Sequence, residues 1–210
     1  GERIGVLGPN GSGKSTLVNC VTGLLKIDGG DVLLSGDSLR GKPAHLRNRA
    51  GIARTFQIPK PFASVSVLDN IRIPLDYCGH HNSQKSSTEE AMALLDLVGL
   101  AHQAAQSTTA LTQVELRKLE LAKAIASNPK LLIADEALAG LSTAEVDDIL
   151  DLLFRLNARN IAIVMIEHIM RAVTRFSQRI IVLVAGTKIA DGLTEDVLRD
   201  PNVERAYLGE

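Results

Sequence analysis

The run Gly8-Pro9-Asn10-Gly11-Ser12-Gly13-Lys14-Ser15-Thr16 fits the spacing G-x-x-x-x-G-K-[ST], with Ile4-Gly5-Val6-Leu7 before it and Leu17-Val18 after. The chemistry of such a run is the holding of a polyphosphate. A short strand feeds a glycine-rich loop whose backbone N–H groups turn inward, and the loop opens into a helix whose positive end faces the same point. Gly8, Gly11 and Gly13 avoid a Cβ that would block positive-φ turns or the approach of backbone to phosphate oxygen. Lys14 brings a mobile charge to the outer phosphates, and the Ser15 hydroxyl is a ligand for the Mg²⁺ that bridges them.

Further polar residues stand at the ends of apolar runs. Leu131-Leu132-Ile133-Ala134 ends in Asp135-Glu136. Adjacent carboxylates at the end of a buried strand are costly to desolvate unless a cation is close. Beside a phosphate cradle, Asp135 is the expected direct or second-sphere Mg²⁺ partner, and Glu136 the group that orients or deprotonates a water. Gln57 follows an expected strand over residues 51–56, where an α/β sheet places its ligand crevice, and its amide could reach Mg²⁺ or an attacking water. Taken alone, it reads as an ordinary polar loop residue. His168, after the apolar run 161–166, reads either as a hydrogen-bond partner of a terminal phosphate or as a cap at a helix start.

The elements that must position these residues alternate strand and helix. A helix over about 14–25 follows the loop. An antiparallel hairpin is expected around the turns at 28–30 and 35–37, then a short helix over 43–49 with Pro43 in its first turn. From Pro59 to about residue 109 the pattern changes. Pro59, Pro61 and Pro74 break it, 67–73 suits a short helix, 80–87 is a polar loop, and Ser87 with Glu90 forms a capping box for a helix stopped by Gly99. Helices follow over 114–127 and, behind a Ser142–Glu145 capping box, to about 157. A hairpin of 180–184 and 188–190, turning at Ala185-Gly186, closes the sheet, and 194–200 is a last short helix before Pro201. The fold class is α/β, with a mostly parallel core sheet, flanking helices and an antiparallel part. The core occupies 1–58 and 128–210, and a mostly helical insertion about 59–127. The chain lacks an initial Met and enters the phosphate-binding strand almost at once, so strands upstream of Gly1 are expected to be missing from it.

Composition limits the function classes. The 210 residues are 45% hydrophobic and 22% charged, as in a globular domain with a sizeable core. A net charge of −1 with scattered Lys and Arg, and only 3% aromatic residues, argues against a nucleic-acid partner, which needs a basic stripe or stacking platforms. Cys20 and Cys78 form no CxxC and read as small buried hydrophobes in a reducing compartment; His80-His81 reads as a loop pair rather than a metal site. No apolar run approaches the roughly 20 residues needed to span a bilayer, so any membrane connection is expected to pass through a partner.

The order of glycine-rich loop, strand-end Gln, helical insertion, apolar strand ending in Asp-Glu and later strand-end His resembles the ATP-binding subunit of an ABC transporter over nearly the whole chain. The wording is similar to the ATPases of branched-chain amino acid importers: ARTFQ around Gln57, SVSVLDNI from Ser64, AGLS from Ala139, IEH ending on His168 and AYLGE from Ala206. The resemblance implies a P-loop NTPase of ABC ATPase type, with ATP and Mg²⁺ as ligands. It makes Gln57 the Q-loop residue that senses the γ-phosphate and touches the transmembrane partner, Asp135 and Glu136 the Walker B pair, 139–142 the D-loop and His168 the switch histidine. The aromatic residue on which the family stacks adenine lies upstream of the P-loop, outside this chain.

There are two departures. Where the family has LSGGQ, this chain reads Leu111-Thr112-Gln113-Val114-Glu115, and where it commonly has Pro after the Asp-Glu pair this chain has Ala137. The resemblance implies that the signature clamps the ATP of a second subunit. Thr112 keeps a hydroxyl for that role, while Val114 resists close approach and Glu115 brings a negative charge near another anion unless it turns outward.

The implied function is a peripheral ATPase on the inner face of the cell membrane. It pairs with a second ABC ATPase subunit and with permease subunits, indirectly serves a solute-binding protein, and has no nucleic-acid partner. The alternative is a nucleotide-gated, weakly hydrolysing subunit that needs a partner with an intact signature; a soluble ABC ATPase acting on DNA or the ribosome is a third reading.

Overall fold

The computed structural model describes residues 1–78 and 86–208. The polar loop and the His80-His81 pair fall largely or wholly outside these residues, as does the end of the AYLGE run. The elements in chain order are β1 (Arg3–Leu7), α1 (Lys14–Thr22), β2 (Leu33–Leu34), β3 (Asp37–Ser38), α2 (Ala44–Ala50), β4 (Ile52–Arg54), α3 (Val67–Cys78), α4 (Ser87–Val98), α5 (Gln113–Ile125), β5 (Leu131–Asp135), α6 (Thr143–Asn157), β6 (Ala162–Ile166), α7 (Met170–Phe176), β7 (Arg179–Val184), β8 (Thr187–Leu193), α8 (Thr194–Leu198) and α9 (Pro201–Leu208).

Six strands form one sheet in the order β4-β5-β6-β1-β7-β8, all parallel except the β7–β8 hairpin. The apolar runs of β5 and β6 are continuous because helices cover both faces, as a parallel sheet requires. Register decides where their ends fall. Val6 lies opposite Ile166, and Asp135 opposite the same Ile166, so β1, β5 and β6 all finish at one edge. The loops at 8–13, 136–139 and 167–168 therefore emerge together at the carboxyl edge, where an α/β sheet opens its crevice. Gly5 permits the tight fit of α7 on β1, since a Cβ there would stand 2.6 Å from Ser177 Oγ and 2.7 Å from Val173 Cγ1.

One buried cluster joins Leu7, Leu132, Ile163 and Phe176 of the sheet region to Ile71, Leu95 and Leu119 of α3, α4 and α5. A second, smaller cluster, with Val6, Val18, Leu39 and Ile133, lies on the side of α1.

Several boundaries differ from the sequence expectation. α3 continues through Pro74 to Cys78, because Leu75 is buried against the neighbouring helices and packing outweighs the one lost N–H. The capping box of α4 is Ser86–Glu89 rather than Ser87–Glu90: both pairs satisfy the pattern, and the extended backbone falls at Ser86. β4 ends at Arg54, so Gln57 lies on the loop beyond it rather than at the strand end. The β2–β3 hairpin has only two residues a side, turned by Ser35 and Gly36 at φ 53° and 89°. Pro201 opens α9 instead of ending the helical structure. Cys20 and Cys78 are half-buried rather than buried, with the Cys78 thiol donating to Asn48 Oδ1 at 3.2 Å.

Candidate nucleotide site

The loop after β1 is shaped by its glycines and closed by Lys14. Gly11 and Gly13 sit at φ 77° and 99°, and Gly13 caps α1 without any side-chain bond, leaving the first N–H groups of the helix directed at the loop. Gly8 is required for a different reason: a Cβ there would lie 2.2 Å from the Leu183 carbonyl oxygen and 2.5 Å from Ser12 Oγ. The close approach shown here is to the neighbouring strand. Lys14 is 7% exposed and donates from Nζ to the carbonyls of Gly8 at 2.7 Å and Pro9 at 3.0 Å. Burial pulls its ammonium below the usual lysine range, while Glu136 and Asp135 oppose that shift. Ser12 Oγ is buried with no hydrogen-bond partner. Left-handed glycines, inward N–H groups, a buried ammonium and an orphaned hydroxyl suit a polyphosphate.

A 180 Å³ cavity is lined by Asn10, Gly11, Ser12, Gly13, Lys14, Ser15, Thr16, Glu136 and His168. Glu136 is the meeting point of the site. Its Oε2 accepts a short hydrogen bond from the Gln57 amide, and its Oε1 lies 3.2 Å from His168 Nε2. An ionised carboxylate only accepts, so the proton of a neutral His168 must be on Nε2. Glu136 adopts φ 47°, an uncommon conformation for a residue with a Cβ, and is held there by its N–H donating to Ile166 O at 2.9 Å. Thus the helix-cap reading of His168 does not describe its contact; its ring faces Glu136.

Asp135 is at the end of β5 but does not line the cavity. Its Oδ2 receives Arg54 Nη2 at 2.6 Å, with 10% and 15% of the two side chains exposed. The pairing follows from register: Arg54 lies opposite Ile133, two residues before Asp135 on the same face. Arg54 also donates to Asn19 Oδ1 of α1 at 2.7 Å. Among the described residues no three His, Cys, Asp or Glu side chains form a metal cage. The donors near the loop are the Ser15 hydroxyl, the Gln57 amide oxygen and the Asp135 carboxylate, a set that suits Mg²⁺ completed by phosphate and water.

Thr112 also lies outside the cavity, at the start of α5. Its backbone N–H and its hydroxyl each donate to Glu115 Oε2 at 2.8 Å, and Glu115 N–H returns to Thr112 Oγ1 at 3.4 Å. Glu115 also takes a short bond from the Gln103 amide, and these bonds hold its carboxyl below the usual range, the Thr112 N–H most of all. Its charge is thus folded back on its own helix start. Val114 is half-buried and packs against the core.

Arg54, Arg117 and Glu167 belong to this region without any motif to announce them. Arg117 carries no spacing signal, and Glu167 is visible only as the residue before His168.

A parallel-sheet α/β domain with this loop and carboxylate at its carboxyl edge is a P-loop nucleotide-binding protein. Within that class the chain belongs to the ABC transporter family, whose family model matches residues 1–139. It is 34% identical, over all of its length and 88% of the relative's, to the high-affinity branched-chain amino acid transport ATP-binding protein LivG of Escherichia coli (strain K12). A probable branched-chain amino acid transport ATP-binding protein LivG of Archaeoglobus fulgidus is also 34% identical, covering 97% of this chain and 83% of that one. Among solved structures, the ADP conformation of MJ1267, an ATP-binding cassette of an ABC transporter, superposes with a TM-score of 0.87 at 31% identity, over 100% of this chain and 88% of the other.

Proposed function

We propose that this chain is the ATP-hydrolysing subunit that energises an importer of branched-chain amino acids or similar solutes. The observation that carries the reading is the convergence on one cavity of the Lys14 loop and Glu136, with Gln57 and His168 both bonded to that carboxylate. The solute class rests on the two relatives named for branched-chain amino acid transport.

The reaction is ATP + H₂O to ADP + phosphate. The Gly11–Thr16 backbone N–H groups and Lys14 hold the phosphates, and Lys14 exchanges its two carbonyl partners for phosphate oxygens. Ser15, the Gln57 amide oxygen and Asp135, directly or through water, would hold Mg²⁺, which would supply positive charge to the phosphates. Glu136 orients the water that attacks the γ-phosphorus and takes up its proton as the bond to the leaving ADP oxygen breaks. Gln57 and His168 fix the two oxygens of that carboxylate, and His168 holds the γ-phosphate geometry.

The partners in this reading are a second ATPase subunit, whose ATP lies against Thr112, and permease subunits that connect to a solute-binding protein. No helix among the described residues is long and apolar enough to cross a membrane. Attachment to the inner face of the cell membrane would then come from surface contacts. Phe56, Phe62 and Tyr77 are 41%, 46% and 75% exposed around a 280 Å³ groove beside the Gln57 loop, an apolar seat for a permease segment.

The test is leucine uptake into proteoliposomes holding the protein with its permease subunits and solute-binding protein. ATP-dependent uptake that disappears with Lys14→Ala is expected. ATP hydrolysis without uptake of leucine, isoleucine or valine would reject the solute class while retaining the ATPase.

A further inference from the structure

Arg117 sits on α5, a little over one turn beyond the Thr112 cap, and is only 6% exposed. Among the described residues its guanidinium makes no hydrogen bond to a carboxylate. Nη1 donates to the backbone carbonyls of Phe56, at 3.2 Å, and Gln57, while Nη2 donates to Ala139 O at 3.3 Å. One side chain therefore grips the backbone on both sides of the Gln57–Glu136 bond: at Gln57 itself and three residues beyond Glu136.

The loop after Glu136 has a second buried anchor. Glu167, 3% exposed, accepts Leu138 N–H at 2.8 Å. Residues 136–139 are thus fixed by Ile166 O on Glu136 N–H, by Glu167 on Leu138 and by Arg117 on Ala139. Burying a guanidinium against carbonyls alone is expensive, and simple packing would be served better by an apolar residue of similar volume. Burial does lower the Arg117 pKa, opposed by the charges of Glu167, Glu120 and Glu136.

We propose that Arg117, with Glu167 as the second anchor, is the positioning residue that holds Gln57 and Glu136 in register for hydrolysis and ties that register to α5. A shift of α5 relative to the sheet pulls the Gln57 and Ala139 carbonyls together. The hydrolytic geometry then follows the placement of the helix that starts at Thr112. A lysine has the charge but not the planar fork that spans two separated carbonyls.

The inference rests on the ATPase reading, and the experiment separates the two. MgATP kcat, KM and the nucleotide Kd are measured well below the unfolding temperature for the purified protein, Arg117→Lys, Gln57→Ala and the double variant. Arg117→Lys is expected to lower kcat by about tenfold to a hundredfold, the scale of a small misplacement, with Kd within about twofold. In the Gln57→Ala background the same change is expected to cost at most about threefold, because the two act through one geometry. An unchanged kcat, or an equal loss in both backgrounds, overturns the role of Arg117. A parent protein that binds but never turns over ATP overturns the ATPase reading and this inference with it. If Arg117→Lys does not fold, Glu167→Met, which removes the acceptor for the Leu138 N–H, carries the test: a kcat lowered by about threefold or more at unchanged Kd supports the two-anchor arrangement, and an unchanged kcat overturns it.

Discussion

Gln57 and Glu136, 79 residues apart in sequence, meet side chain to side chain, the amide of the first donating to the carboxylate of the second. The contact bridges the loop after β4 and the loop after β5, which adjoin because β4 and β5 pair in parallel. His168, from the end of β6, reaches the other oxygen of the same carboxylate. The loops that follow three neighbouring strands are thus joined through Glu136.

His168→Ala tests the third member of that group. Its side chain is 47% exposed, so the substitution should change stability by no more than about 0.5 kcal/mol. Turnover should fall by about 10²-fold, the usual scale for losing one preorganised donor, with ATP affinity nearly unchanged. Steady-state hydrolysis beside a nucleotide-binding titration separates the two effects.

Arg54→Met should destabilise the nucleotide-free protein by about 3 kcal/mol, since it leaves the mostly buried Asp135 carboxylate without its 2.6 Å partner. Saturating MgATP should recover part of that loss by bringing a cation to Asp135. Thermal unfolding with and without MgATP, and with ATP plus a chelator, reads the difference; recovery without Mg²⁺ would remove Asp135 from the metal site.

Gly8 and Gly11 should respond differently to alanine. At Gly8 the new Cβ meets the Leu183 carbonyl at 2.2 Å, so backbone must move and nucleotide binding should be lost together with several kcal/mol of stability. At Gly11 nothing lies within 4 Å, and the cost is the φ 77° conformation alone, about 1 kcal/mol. Chemical denaturation of both variants checks the ordering.

Glu167 gives a pH signature. Burial, aided by Glu136, raises its carboxyl to about 7, against the lowering effects of the Leu138 and His168 N–H groups and of Arg117. A carboxyl raised in the folded state favours folding below its unfolded value, and that contribution is lost as pH rises through 7. Glu167→Gln should therefore be close to neutral at pH 5 and stabilise the fold at pH 8.5, by on the order of 3 kcal/mol at most. Urea midpoints at the two pH values measure it; an equal shift at both would place the ionisation elsewhere.

The legible part of this protein is the part written in local chemistry. The loop at 8–16, the Gly99 helix stop, the Ser142–Glu145 capping box and the apolar runs of β5 and β6 each follow from residues adjacent in sequence. Pro74 misleads because the packing of α3 overrides a single lost bond, and Ser86–Glu89 is offset by one because two overlapping pairs satisfy the same pattern. The pairings Arg54–Asp135, Gln57–Glu136 and Arg117–Ala139 depend on strand register and on which face of α5 lies inward, and no spacing rule encodes them. The capping box of Glu115 with Thr112 is a finding of the structure: in the sequence 111–115 reads only as a displaced signature, and S/T-x-x-E satisfies the capping pattern as well.

The most direct measurement is MgATP hydrolysis by the purified protein beside Glu136→Gln, with ATP binding titrated for both. The amide keeps the shape of the side chain but cannot take a proton, so turnover should fall by about 10²- to 10⁴-fold while ATP still binds. A Glu136→Gln protein that hydrolyses ATP at the parental rate would contradict the assignment of Glu136 as the group that activates water.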